Sequence, residues 1–68
     1  MYVIYLQFYD GDDGYYSRDV WEGSRIRIYR NAVAEYGHKY PTYAAAERKA
    51  QWLLYYSSSI DAYEIIWV

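Results

Sequence analysis

The chain opens on a run in which every second residue is a large apolar one. In Tyr2-Val3-Ile4-Tyr5-Leu6-Gln7-Phe8-Tyr9, the side chains of Tyr2, Ile4, Leu6 and Phe8 fall on one face, and several residues between them are apolar too. A period of two in β-branched and aromatic residues predicts a central strand. Asp10-Gly11-Asp12-Asp13-Gly14 interrupts it with turn chemistry, offering two glycines for positive φ. Tyr15 to Trp21 predicts a second strand, and the pair closes a hairpin. Beyond the turn Glu22-Gly23-Ser24, Arg25-Ile26-Arg27-Ile28-Tyr29-Arg30 alternates charged with apolar residues, as a half-exposed third strand does.

Residues 31–41 have no single period. Asn31 to Tyr36 suits a short helical turn ended by Gly37, and Pro41 then breaks the chain. Thr42 is a good N-cap for an alanine-rich helix from Tyr43 to about Ser57. Tyr43, Ala46, Ala50, Leu53 and Leu54 form its apolar stripe. Ser57, Ser58 and Ser59 end the helix, and Ala62 to Val68 predicts a last strand. The order β-β-β-α-β gives an α+β fold in a single domain over residues 1–68. It is an antiparallel sheet of three to four strands with one helix packed across one face. A right-handed crossover through the helix lays the last strand parallel to the first.

Composition turns this scaffold toward binding. Twelve Tyr, three Trp and one Phe occur in 68 residues. A domain this small cannot hide so many rings, each with ~150–250 Å² of surface. Several must face solvent, where Tyr and Trp give contact area at little rotamer entropy. With no cysteine, the chain has neither disulfides nor the usual zinc frameworks. Dense aromatic packing and a homodimer are the expected sources of stability.

Charge is polarised along the chain. Up to Ser24, Asp10, Asp12, Asp13, Asp19 and Glu22 face only Arg18; from Arg25 to Lys49, six cations face Glu35 and Glu47. The apolar opening lacks a basic n-region and runs into aspartates, so it reads as neither a signal peptide nor a membrane span. A cytoplasmic protein without a membrane partner is expected.

Two places stand out as candidate contact surfaces. On the helix, Trp52 lies almost opposite Ala50 and Leu53, flanked by Arg48, Tyr55 and Tyr56. Arg48 and Trp52, spaced i, i+4, suit a cation–π contact. A helix resting on a sheet needs one apolar face, so this second one calls for a cover: a foreign partner, a second copy, or residues 31–41 folded over it. The other place is the acidic loop with Asp10, Asp12 and Asp13 beside Tyr15 and Tyr16, suited to an arginine-rich surface. As a calcium loop it fails, because Gly14 and Trp21 stand where ligands are needed.

Arg25, Arg27 and Arg30, interleaved with Ile26, Ile28 and Tyr29, form the alternative: a small dimeric nucleic-acid-binding or regulatory protein touching phosphates through this strand. The acidic balance weighs against nucleic acid. Catalysis has no motif behind it: His38 reads as a surface histidine, and neither a metal nor a cofactor is called for.

Tyr2-Val3-Ile4, Gly14-Tyr15-Tyr16, Trp21, the stretch Tyr40-Pro41-Thr42-Tyr43-Ala44-Ala45-Ala46-Glu47-Arg48-Lys49-Ala50 and the terminal Tyr63-Glu64-Ile65-Ile66 together resemble small accessory proteins of bacteriophages and mobile elements, anti-CRISPR proteins among them. The resemblance implies a non-catalytic inhibitor that binds a host protein or ribonucleoprotein complex stoichiometrically in the host cytoplasm.

Overall fold

The computed structural model describes all of residues 1–68. Strands β1 (Tyr2–Phe8), β2 (Gly14–Glu22) and β3 (Arg25–Asn31) precede helix α1 (Tyr43–Tyr56) and strand β4 (Ile60–Trp67). All strand pairs are antiparallel, in the order β3-β2-β1-β4, and α1 packs on one face. Ile4, Leu6 and Phe8 project toward the helix and meet Ala46, Ala50 and Leu53 in a core that Tyr16, Ile28 and Ile60 complete. Alanines on the buried helix face let the backbone lie close to the sheet. Each fully buried aliphatic side chain contributes about 1.5–3 kcal/mol.

Local chemistry sets the boundaries. Gly23, at φ +64°, is the first residue of the two-residue turn between Glu22 and Arg25, a position in tight hairpins that favours glycine. The Thr42 side chain caps α1 by accepting from the Ala45 amide at 3.1 Å. At the other end the Ser57 amide still donates to Leu53 at 2.9 Å before the chain turns. The helical turn foreseen after Asn31 is a 3₁₀ turn, Ala34–Tyr36, closed by the Gly37 amide.

One expectation about topology is corrected. β4 is antiparallel to β1, with Tyr2 opposite Trp67 and Phe8 opposite Ile60. The reason lies in residues 32–41. They carry the chain from the end of β3 back to the start of β1, where Tyr40 forms a bridge with Tyr2 through two 2.8 Å hydrogen bonds. This segment makes the return that the crossover argument assigned to the helix. α1 then runs from the Tyr2 end toward Phe8, and β4 comes back antiparallel.

The same segment rules out a second expectation. Residues 31–41 do not fold over Trp52. After Tyr15, β2 leaves β1 and stays with β3, and the loop fills the gap: the His38 amide donates to the Tyr16 carbonyl at 2.8 Å while Tyr40 holds Tyr2. The apolar stripe of α1 is also narrower than its sequence suggests. Tyr43 and Leu54 sit on its flank, 50% and 38% exposed, and only Ala46, Ala50 and Leu53 are buried.

Candidate functional site

A β-bulge in β2 creates the site. The pairing with β3 shifts between Tyr16, opposite Arg30, and Arg18, opposite Tyr29. One extra residue, Ser17, reverses the alternation that follows. Tyr16 faces the helix, and strict alternation would send Asp19 and Trp21 to the other face. After the bulge they stand opposite Ile28 and Ile26, on the helix side.

Asp19 thereby comes under α1. Lys49 Nζ lies 2.9 Å from its carboxylate, and the Tyr16 hydroxyl donates to the same oxygen. The Lys49 ammonium also caps the Trp52 ring, 3.8 Å from its centroid. Burial alone would raise the Asp19 pKa, but the hydrogen bonds from Tyr16 and Lys49 and the lysine charge hold it below the ordinary carboxylate range. Burial first, and the Asp19 carboxylate second, push the Tyr16 phenol far above its usual value. The same two causes take Tyr40 up to about 12. These shifts keep each group in its neutral-pH state. The cluster is a clasp between helix and sheet.

Beside the clasp lies a continuous aromatic surface. Trp21, 46% exposed at the hairpin end, meets Trp52 edge to face at 6.3 Å and Tyr56 at 5.4 Å. Trp52 and Tyr56 are 4.9 Å apart, and Tyr55, 81% exposed, stands edge-on to Tyr56 at 4.8 Å. Next to it, Ala45, Arg48, Lys49 and Trp52 line a shallow hollow of about 370 Å³. The indole of Trp52 is partly buried against the core, held by Trp21. Its cation is Lys49; the expected contact with Arg48 does not form, and Arg48 stays exposed.

The acidic loop is engaged differently from what its sequence suggested. Asp13 accepts from the Phe8 amide at 2.8 Å, and Asp10 accepts from the Asp12 amide at 3.0 Å; both close the turn. Asp12 pairs with Arg30 at 2.6 Å. Tyr15 packs edge to face on Tyr5 at 5.0 Å, and Tyr16, only 5% exposed, belongs to the core. Tyr16 is thus corrected from contact residue to core residue. The two candidate places meet only at their margin, where Asp10 and Tyr56 line one open hollow of about 550 Å³ with Arg30 and Ser57.

The arginine strand is divided between faces. Arg30 points to the helix side, stacked 4.0 Å from the Phe8 ring centroid. Arg27, on the opposite face, is paired with Glu22 at 3.0 Å. Arg25 alone of the three is without an ion-pair partner, which leaves no row of free cations for phosphates.

Trp21 and Lys49 are the contributors that sequence reasoning overlooked. Lys49 was one step from a signal: at i+3 from Ala46 it borders the buried stripe. Trp21 lay hidden because its parity differs from that of Tyr16, and nothing in Tyr16-Ser17-Arg18 announces a bulge. Comparison with known proteins adds no assignment, since no family model, curated protein or solved structure matches the chain.

Proposed function

We propose that this chain is a non-catalytic binding protein whose contact surface is the ring cluster Trp21, Trp52, Tyr55 and Tyr56 with Arg48 at its border. The observation that carries the reading is the edge-to-face series from Trp21 to Tyr55. It leaves the most exposed ring, Tyr55, on a base of packed aromatics. Aromatic side chains already fixed by their neighbours lose little entropy on binding, and an adjacent Arg suits the rim of such a patch. The resemblance to phage-encoded accessory proteins supports a host defence complex as the target, with inhibition by stoichiometric occupation.

The test is a plaque assay in a host whose CRISPR system targets the infecting phage. Expression of the chain restores plaques, and Tyr55→Ala or Arg48→Ala abolishes the rescue while leaving the circular dichroism spectrum unchanged. Absence of rescue across a panel of CRISPR types counts against that target. Capture of a host protein by the wild type and equally by Tyr55→Ala counts against the surface.

A further inference from the structure

Strand β4 forms an edge of the sheet, and no strand pairs with its outer side. The direction of its backbone groups follows from the contacts of Tyr2. The Tyr2 amide donates to the Tyr40 carbonyl and the Tyr2 carbonyl accepts from the Tyr40 amide. Both groups of Tyr2 therefore point away from β4, and Tyr2 with Trp67 is a non-hydrogen-bonded pair. One step on, the Val68 amide donates to the Met1 carbonyl at 2.9 Å, as alternation requires. Tyr63, Ile65 and Trp67 thus turn their N–H and C=O groups outward, along a free edge.

The side chains of these three residues lie on the helix side, and α1 borders them with its other flank. Lys49 and Trp52 lean toward β2, so Tyr43 and Leu54, on the opposite side of the helix, lean toward β4. The Tyr43 ring meets Tyr2 at 5.8 Å, and Tyr2 meets Trp67 at 5.0 Å. Trp67 is 67% exposed. An apolar strip, interrupted on the helix by half-buried Glu47, thus runs beside unpaired backbone that has no lysine or proline on the strand to blunt the edge.

We infer that a second copy of this chain pairs antiparallel with β4, across a two-fold axis at Ile65. Backbone parity permits an axis at any residue of β4; one at Tyr63 sets Ile65 against Asp61 of the partner subunit, one at Ala62 sets Tyr63 there, and one near either end joins only a few residues. An axis at Glu64 sets two carboxylates opposite each other in the closer, non-hydrogen-bonded geometry, which is repulsive. An axis at Ile65 puts Ile65 against its own copy, Tyr63 against Trp67 of the partner subunit, and Glu64 against Ile66 of the partner subunit. The strand is complementary to itself in that register: aromatic meets aromatic, aliphatic meets aliphatic, and like charges are kept apart. Tyr43 and Leu54 of the two helices then close the groove above the joined strands. The ring cluster over β2 stays open, so this inference stands apart from the proposed function.

Sedimentation equilibrium from micromolar to millimolar concentration tests it, with a mass rising to twice 8.2 kDa expected. Trp67→Lys, at an exposed position, returns the mass to that of one chain with an unchanged circular dichroism spectrum. The chain has no cysteine of its own, so single replacements report the register. Ile65→Cys forms a covalent dimer with a short bis-maleimide, each thiol adding to one maleimide ring. Tyr63→Cys does so only when mixed with Trp67→Cys. A single-chain mass at every concentration overturns the proposal. So does a dimer that Trp67→Lys leaves intact and Ile65→Cys fails to cross-link.

Discussion

Lys49 on the helix and Asp19 on β2 meet at 2.9 Å in the only ion pair that joins the two layers of the fold. The carboxylate also takes the Tyr16 hydroxyl, so neutralising it leaves a half-buried ammonium without its counter-charge and weakens the acceptor of a buried phenol. Asp19→Asn should lower stability by about 1–3 kcal/mol. The expected result is a reduced urea midpoint with an unchanged slope. Because the folded carboxyl has the lower pKa, its stabilisation is complete above the ordinary carboxylate range. It is lost as pH falls through the depressed value, so the variant's acid unfolding profile should be flatter than the wild type's.

At alkaline pH the sign is reversed. The Tyr40 phenol holds its proton up to about 12 in the folded chain, against 10.0 when unfolded. Its contribution is full below the unfolded value and declines as pH rises through that window, because the unfolded chain releases the proton first. Phenolate absorbance should therefore show Tyr16 and Tyr40 ionising late, close to unfolding. Tyr40→Phe should remove part of the alkaline loss of stability. An unchanged alkaline midpoint in that variant would contradict the assignment.

Gly14 is required for space. A Cβ there would stand 2.9 Å from Arg30 Cβ and 3.0 Å from the Asn31 carbonyl. The Arg30 stem passes close to this position, and its guanidinium reaches the Phe8 ring and Asp12. Gly14→Ala should cost about 1–3 kcal/mol, the usual penalty for overpacking, and loosen the Arg30–Asp12 pair. Because the clashing atom is the Arg30 Cβ, Arg30→Gly and not Arg30→Ala in the Gly14→Ala background should recover part of the loss, which a double-mutant cycle in urea would measure.

Stability and binding should separate on the aromatic surface. Trp52 is partly buried on the core, so Trp52→Ala should destabilise by about 2–4 kcal/mol. Tyr55→Ala, at a largely exposed position, should change stability by no more than about 0.5 kcal/mol while removing binding. Trp21→Ala should fall between the two and quench the coupled near-ultraviolet signal of the two indoles.

The strands, the Thr42 cap and the helix were legible because each rests on local chemistry: period two, a side-chain acceptor, a run of alanines. Ala46, Ala50 and Leu53 were found as core for the same reason. The orientation of β4 was hidden, because it depends on the path of residues 32–41, whose organising contact is the Tyr2–Tyr40 bridge across the chain. The site was half legible. Trp52, Tyr55, Tyr56 and Arg48 share a helix side, as helical angles indicate. Their partner Trp21 and the Lys49–Asp19 clasp depend on tertiary pairing. The turn-closing bonds of the acidic loop were not legible, because aspartates that close a turn and aspartates that greet a partner are the same residues in sequence.

The bulge at Ser17 makes the outward character of this molecule a matter of counting. If Ser17 were instead taken into the ladder as an ordinary strand residue, every side chain in the chain would remain. The rest of β2 would nevertheless roll over: Arg18 and Val20 would be carried beneath the helix, and Asp19 and Trp21 to the far side. The clasp would lose its acceptor and the ring series its first member, with no residue of either replaced. A frame of one residue, set in a stretch of unremarkable composition, decides which half of the hairpin's chemistry the helix meets.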